Sequence, residues 1–474
     1  MNNGTGRRTP TRDPYRGQTP QRGRNRRIGP GPGPIIGIIV AGLLLVAAVV
    51  MTFMALRTPD EPKKQPTVLP VDTGAGESTA AETEPADVPL TYTDITLLSA
   101  GDVMYHTPQL TEAYVPETGE YDFSATYQYV RDLVSSADYA VVNFEATTAG
   151  DAFEYTGYPC FNAPDTAMSI LKEVGFDMLL FANNHCNDTG TIGITRTQEN
   201  FVKYGFDYIG ARPDSAGKTY KLVNVKGVNL GLLNTTDDLS YGSTGAKSIN
   251  GIPLAEGDVD RIDTFNHSYL DEFYTRAAAA IADLRTQGAD IIIYYVHWGD
   301  EYHLLHNEIQ DAVAHKLCDL GVDVIIGGHP HVVQDSEVLT STVDPEHKTL
   351  CFYSLGNYVS NQNRLTMGDT MNSTYTENGL TVILSIRKYS DGATLVTGVR
   401  TVPTWVHRYT DGTTWKNYHV IEPLPAAYES PDAYGLYASG FGVDHAAEAY
   451  RMTTEQLGDI VEAFARTVSL PADE

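Results

Sequence analysis

From Thr93 onward the chain repeats one pattern, a short apolar run that ends in a cluster of polar, ligand-type side chains. Runs of this kind, bounded by turn residues, predict buried strands. "DITLLSAGDVMYH" brings Asp102, and "ADYAVVNFEATT" brings Asn143 and Glu145. "GFDMLLFANNHCNDTG" brings Asn183, Asn184, His185 and Asp188, and "ADIIIYYVHWGDEY" brings His297 and Glu301. "GVDVIIGGHPHVVQ" brings His329 and His331, and "TLCFYSLGNYVSNQ" brings Ser354 and Asn357. Between them, "APDTAMSILKEVG", "YTRAAAAIADLRTQG" and "NEIQDAVAHKLCDLG" carry helical spacing, with Pro164 opening the first and Gly175, Gly288 and Gly321 as stops. Strands alternating with helices predict a largely parallel, buried sheet system. In such sheets ligands collect beyond the carboxyl ends of strands, which is where these clusters fall. The alternation alone equally permits a simple doubly wound sheet.

A lone histidine after a strand is more often structural than ligating. Six strand ends, several of them offering a metal-capable group, are harder to attribute to packing. Asp102, Glu145, Asn184, His297, His329 and His331 supply mixed oxygen and nitrogen donors, a set that suits Zn, Mn or Fe better than an all-oxygen Ca or Mg cage. Cysteine is missing from most of these ends, against a structural zinc knot. In "GGHPH" the two glycines and Pro330 are expected to let the backbone leave the strand, so that both imidazoles face one site. His303 and His306 read as loop or rim residues, and His315 as part of an amphipathic helix.

The N-terminal part differs in character. Residues 1–34 hold eight Arg and one Asp, a balance of +7, so a net charge of −27 leaves −34 for the remainder. Residues 35–56, "IIGIIVAGLLLVAAVVMTFMAL", carry no charge and make about 33 Å of helix, enough to cross a bilayer. The arginines place the 1–34 tail in the cytoplasm and the rest outside the cell, in a single-pass arrangement at the cell membrane. The run is longer than the core of a cleaved signal peptide. Beside a span, the basic tail is a topology signal, and no nucleic-acid partner is expected. Residues 57–92, with six prolines from Thr58 onward, read as a disordered tether. Cys160, Cys186, Cys318 and Cys351 lack CxxC spacing and read as buried free thiols, with one disulfide as the alternative.

Taken as an ordered set, "GDVM", "NFE", "FANNHCNDTG", "HWGDEY", "GGHPHVVQ" and "YSLGNYVSNQ", from about Leu97 to Gln362, resemble the CapA/PgsA family of capsule and poly-gamma-glutamate synthesis proteins, which is related to calcineurin-like metallophosphatases. The resemblance implies an α/β fold, a four-layer αββα sandwich over 93–425 around a two-metal site, with 426–474 as a helical extension. It implies that Asp102 binds a first metal with His331, that Glu145 bridges, and that Asn184, His297 and His329 bind a second. His185 becomes the general acid or transition-state donor, oriented by Asp188. Three positions depart from the expected pattern: Met104 stands where metallophosphatases have the His of Asp-x-His, Glu145 stands for a bridging Asp, and Asn162 in "YPCFNAP" stands where Arg is common.

Two functions follow as expectations. One is a metal-dependent hydrolase or transferase acting outside the cell on an anionic polymer or phosphoester, alongside membrane subunits of a capsule or polyglutamate synthase. The other is a non-catalytic scaffold or export component with a relict or structural metal site. An acidic exterior repels a polyanion within about 8 Å in physiological salt, so such a substrate requires a local cationic focus. Lys218, Lys221 and Arg196 are candidates, and the metals themselves are the stronger one.

Overall fold

The computed structural model describes residues 90–468 apart from 213–215, 238, 242–246 and 369. The expected tail, membrane span and nearly all of the tether lie outside these residues. Among the described residues no helix is long and apolar enough to cross a membrane.

The strands that build the two main sheets are, in chain order, β1 (Tyr92–Val103), β2 (Tyr139–Phe144), β3 (Met178–Leu180), β4 (Asp207–Ile209), β5 (Lys221–Val225), β6 (Val228–Thr236) and β7 (Ile291–His297). They continue with β8 (Val324–Gly328), β9 (Ser336–Thr340), β10 (Lys348–Phe352), β11 (Asn357–Val359), β12 (Asn378–Tyr389), β13 (Thr394–Thr410) and β14 (Asn417–Pro423). The first sheet runs β14-β13-β12-β1-β2-β3-β4, with β11 also pairing β1; the second runs β9-β10-β8-β7-β6-β5.

The two sheets pack face to face, and alternation along each strand shows why. In β7, Ile291, Ile293 and Tyr295 join Ile95, Leu97 and Val141 of the first sheet in one core. The intervening Ile292, Tyr294 and Val296 point the other way, into a core with two helices, α4 (Leu270–Thr286) and α5 (Glu308–Asp319). In β1, Leu98 and Ala100 likewise face outward, toward α2 (Asp165–Val174) and α3 (Gly190–Lys203). A strand buried on both faces needs apolar residues at every position, hence the unbroken runs in the sequence. The layers are therefore helices, sheet, sheet, helices. Helix α2 stops at Gly175, whose φ of 118° is open to glycine. Helix α5 starts at Asn307, whose side chain accepts from the Ile309 and Gln310 backbone while Gln310 reaches back to the Asn307 N–H. The short α1 (Thr107–Ala113) follows β1 directly.

Parallel pairing holds where the polar clusters lie: β1 with β2, β2 with β3, and β6, β7, β8 and β10 with one another. Elsewhere the expectation of a largely parallel system fails. β12 to β14 form an antiparallel meander on β1, and β5 and β9 are antiparallel edges. The tight turn at Ser390–Ala393 is too short for a crossover helix, so β12 and β13 can pair only antiparallel. After the meander, α6 (Gly442–Leu457) lays Ala446 and Ala449 against Trp405 and Leu424. Ile460 and Phe464 of α7 (Ile460–Ala465) join Leu457 in the core shared by the sheets.

One segment belongs to both sheets. The chain leaves β10 in the second sheet, crosses at Tyr353–Gly356 and enters β11 beside β1 in the first. On the way Leu355 N donates to Gly327 O at 3.0 Å, and Gly356 O accepts from Asp102 N at 2.9 Å. Side chains are excluded here. A Cβ on Gly327 would lie 1.9 Å from Tyr353 O and 2.6 Å from Trp298 Nε1, and one on Gly101 would lie 2.0 Å from Gly356 O. Gly327→Ala is expected to destabilise the fold by about 3 kcal/mol, the upper part of the usual overpacking range. Urea unfolding of the variant against wild type at unchanged m-value checks this, and a loss below about 0.5 kcal/mol would show that the crossing yields.

Candidate metal centre

The parallel strands of both sheets end at one place, and their register brings ligand-type groups side by side. Asp102 pairs in register with Asn143, and His297 with Gly328. The pairing of β1 with β2 shifts between Ala100 and Asp102, a bulge of the kind that re-aims a side chain. Glu145 follows β2, Asn184 and His185 follow β3, and His329 follows β8.

All six proposed ligands meet in one cluster, five of them buried and His329 partly so. His297 Nε2 lies 2.8 Å from Asn184 Oδ1, 3.2 Å from His329 Nδ1 and 3.6 Å from Glu145 Oε1. His331 Nδ1 lies 3.6 Å from Asp102 Oδ2, and its Nε2 lies 4.0 Å from Glu145 Oε1. Ligand atoms of Asp102, Glu145 and His297 all fall within 4.8 Å of one another. Asp102 is held from both sides, accepting from Asn143 Nδ2 at 2.8 Å and from His329 N at 3.1 Å.

The "GGHPH" turn works differently from the expectation. The glycines are not where the backbone turns. Gly327 lies under the Tyr353 carbonyl, and a Cβ on Gly328 would sit 2.7 Å from Asp102 Oδ1. It is the histidines that leave extended geometry, with φ of 96° at His329 and 58° at His331. A non-glycine residue in this region costs about 1–3 kcal/mol, tolerated where surrounding contacts dictate it. Here that backbone turns both imidazoles toward Asp102 and Glu145.

Electrostatics sets the two carboxylates apart. Burial alone would raise Asp102, but His331, His297 and the Asn143 amide outweigh it and bring its pKa down to about 2. Glu145 is pushed well above the ordinary range by burial and then by Asp102, Glu301 and Asp188. Burial holds His297 well below its usual value, helped by His329, and lowers His329 to about 4, helped by His331. Glu145 Oε1 and Oε2 and His331 Nδ1 are buried without a hydrogen-bond partner among the described residues. Leaving such atoms unmatched is costly, and neutral His297 and His329 beside a carboxyl that burial keeps protonated suit a divalent cation that would take the place of the proton. The donor set fits one or two ions; Asn184, His297, His329 and Glu145 would hold one side, and Asp102, His331 and Glu145 the other.

His185 and Asp188 stand beside the cluster. His185 Nδ1 pairs with Asp188 Oδ2 at 2.8 Å, and the same oxygen accepts from Phe161 N at 2.6 Å. The Phe161 ring sits edge-on to His185 with centroids 4.7 Å apart, which accounts for the "YPCFNAP" segment. Asn162 is buried and takes a structural part, accepting from Ala149 N at 2.7 Å and donating to Glu154 O at 3.0 Å.

Two amides that the sequence named at strand ends, and one histidine that it did not, support the centre. Asn183 donates to Asn143 Oδ1 at 3.0 Å, so one amide orients the amide that orients Asp102. The signal was present, since both are amides at strand ends. His106 sits at the start of α1 with its ring 5.1 Å from Phe161, and burial, helped by His331, lowers its pKa to about 3. Met104, by contrast, is buried in the outer apolar core and supplies no ligand. Among the other histidines, His303 and His315 are exposed, while His306 is partly exposed. All four cysteines are free thiols; three are buried and Cys160 is partly so. Lys218, Lys221 and Arg196 are each paired with an aspartate, Asp283, Asp207 and Asp165 respectively, so they form no open cationic patch.

Two sheets joined at the carboxyl ends of their strands, with a carboxylate–imidazole cluster at the junction, define a layered α/β protein built around a buried polar centre. The chain belongs to the bacterial capsule synthesis protein PGA_cap family, whose match covers residues 96–362. It is 29% identical over 278 residues to the PGA biosynthesis protein CapA of Bacillus subtilis (strain 168), covering 57% of this chain and 65% of that protein. It is 28% identical over 280 residues to the capsule biosynthesis protein CapA of Bacillus anthracis, covering 56% and 60%. A probable polyglutamine synthesis accessory protein of Mycobacterium tuberculosis (strain ATCC 25618 / H37Rv) is 27% identical over 213 residues, covering 43% and 52%. The match thus spans less than two thirds of each relative's own length.

The raised Glu145 carboxyl carries a pH signature. Its folded pKa lies above the unfolded 4.5, so its contribution to metal-free stability is full below that value and is lost as pH rises. Glu145→Gln cannot ionise and escapes the loss. In chelator-treated protein, the Tm of the variant is expected to gain on wild type from about pH 5 to about pH 8. A Tm difference that stays flat with pH would refute the assignment.

Proposed function

We propose that this chain is a membrane-anchored, outward-facing participant in capsule or poly-gamma-glutamate synthesis or export. In this reading its buried centre holds two divalent transition ions, Mn, Zn or Fe, and acts in hydrolysis or transfer on an anionic substrate. The observation that carries the reading is Glu145, whose two unpartnered oxygens lie in one buried cluster with the nitrogens of His297 and His331. The family and the names of its relatives support the biological setting, and the name of the mycobacterial relative supports association with a synthesis machinery. The arginine-rich residues 1–34 and the apolar residues 35–56 support the anchor and its orientation.

Bound ions would supply Lewis acidity and water of lowered pKa. The remaining work falls to the chain. Asn143 and His329 N hold Asp102 in place. Asp188 on Nδ1 orients His185, whose imidazolium form would give its Nε2 proton to a leaving oxygen as a general acid. Because Lys218, Lys221 and Arg196 are neutralised by aspartates, the centre is the cationic focus available to a polyanion.

The scaffold reading has one observation in its favour: Met104 points into the apolar core, so the first ion has one nitrogen ligand fewer than in metallophosphatases. Metal analysis of protein purified without chelator is expected to find transition metal in wild type and a loss in His329→Ala/His331→Ala. Metal-free wild type would overturn the metal reading. Against phosphodiester and polyglutamate panels, His185→Ala is expected to lower turnover by about 10²–10⁴-fold. Polymer export that survives His185→Ala but fails without the whole protein would establish the scaffold.

A further inference from the structure

Beyond the centre, the loop after β7, helix α5 and strand β9 bring a second set of metal-capable groups together. His306 is clamped: its backbone N–H donates to Asp335 Oδ1 at 3.0 Å and its Nδ1 lies 2.9 Å from Asp335 Oδ2. Its ring stacks on Tyr353 with centroids 3.9 Å apart and planes 16° from parallel. The carboxylate takes the proton on Nδ1 and leaves the Nε2 lone pair free, as a carboxylate behind a metal-bound imidazole does. Nε2 faces Asp311 Oδ1 at 3.9 Å. One turn further along α5, His315 Nε2 approaches the same oxygen at 3.6 Å. Glu337, held by the Tyr353 hydroxyl at 2.8 Å, completes the group, and ligand atoms of His306, Asp311 and Glu337 lie within 4.8 Å of one another.

Those separations decide between two explanations. They exceed hydrogen-bond length, and no hydrogen bond among the described residues reaches the Asp311 carboxylate or the His315 ring. Two ligands on a tetrahedral zinc, each at about 2.0–2.1 Å, stand about 3.3 Å apart, so the 3.9 Å between His306 and Asp311 would close by about 0.6 Å on binding. A surface ion pair between half-exposed groups is worth about 0–1 kcal/mol and gives no reason for three carboxylates to crowd two imidazoles. We propose that His306, Asp311 and Glu337 form a separate mononuclear site for a zinc-type divalent cation, with Asp335 and Tyr353 as positioning residues and His315 on the outer side of Asp311. One imidazole nitrogen and two carboxylates, with a position left for water, are donors such an ion takes. The ion ties α5 and β9 to the loop that leaves His297 and carries Glu301 and Tyr302, so it fixes a border of the buried centre without entering it.

The test is zinc titration of the full-length chelator-stripped protein, followed by calorimetry and metal analysis. Wild type is expected to bind one more equivalent of Zn²⁺ than His306→Ala/His315→Ala. The His329→Ala/His331→Ala variant should keep that equivalent, which separates this site from the buried centre. Asp335→Asn should weaken the same equivalent by about 10–100-fold while leaving its stoichiometry intact. Circular dichroism melts establish that each variant is folded. If unfolding of the double variant obscures its titration, Co²⁺ loaded into wild type and into folded Asp311→Asn gives the answer through the visible ligand-field band. Equal zinc stoichiometry in wild type and the folded His306/His315 variant, or an unchanged cobalt band in Asp311→Asn, would overturn the proposal and leave an ion-paired histidine cluster.

Discussion

Two carboxylates and three imidazoles buried together without enough internal partners form the constraint on which the rest of this structure depends. An unpaired carboxylate in a protein interior is unfavourable by several kcal/mol unless it is protonated or meets a counter-charge. Asp102 is stabilised within the chain by two N–H donors, the Asn143 amide and the His329 backbone. Glu145 is not. The surrounding architecture serves to hold that imbalance in place: the bulge at Asp102, the positive φ of two histidines and the Asn183–Asn143 amide relay. Features with a local cost persist where a bound group compensates for them, so the geometry and the cation reading support each other.

Much of this was legible in the sequence because strand ends carry their own signature. The runs ending in Asp102, Glu145, Asn184, His297 and His329 do end in parallel strands that stop at one place, since a strand buried on both faces can be polar only at its tip. Pro164 and Gly175 likewise marked a helix because their backbone preferences are local. What stayed hidden depended on partners distant in sequence. The meander of β12 to β14 has runs no different from those of a parallel strand; only the short turn before Thr394 distinguishes it. The glycines of "GGHPH" look like turn formers, yet the space they leave is filled by the Tyr353 carbonyl and the Asp102 carboxylate. The pairing of Lys218 with Asp283 spans 65 residues and removes a cationic candidate that composition alone had left open.

Charge links the two sites. The chain carries −27 overall, and its lysines and arginines are widely committed to aspartates and glutamates. In such a molecule, divalent cations are the economical way to create local positive potential without rebuilding the surface. In the proposed reading the buried centre does this where the two sheets meet. The cluster around His306 would do it on the outer side of the second sheet, where the exposed setting allows exchange with the medium.

The crossing at Tyr353–Gly356 has a mechanical implication. A protein made of two stacked halves can ordinarily open like a book, each half melting or tilting by itself. Here the binding is stitched beside the polar junction, with backbone bonds from one short stretch to Gly327 on one leaf and to Asp102 on the other. Neither leaf can swing or melt first without tearing the seam, so the two come apart as a single cooperative unit. Access to the junction must then come from the surface loops rather than from any parting of the halves.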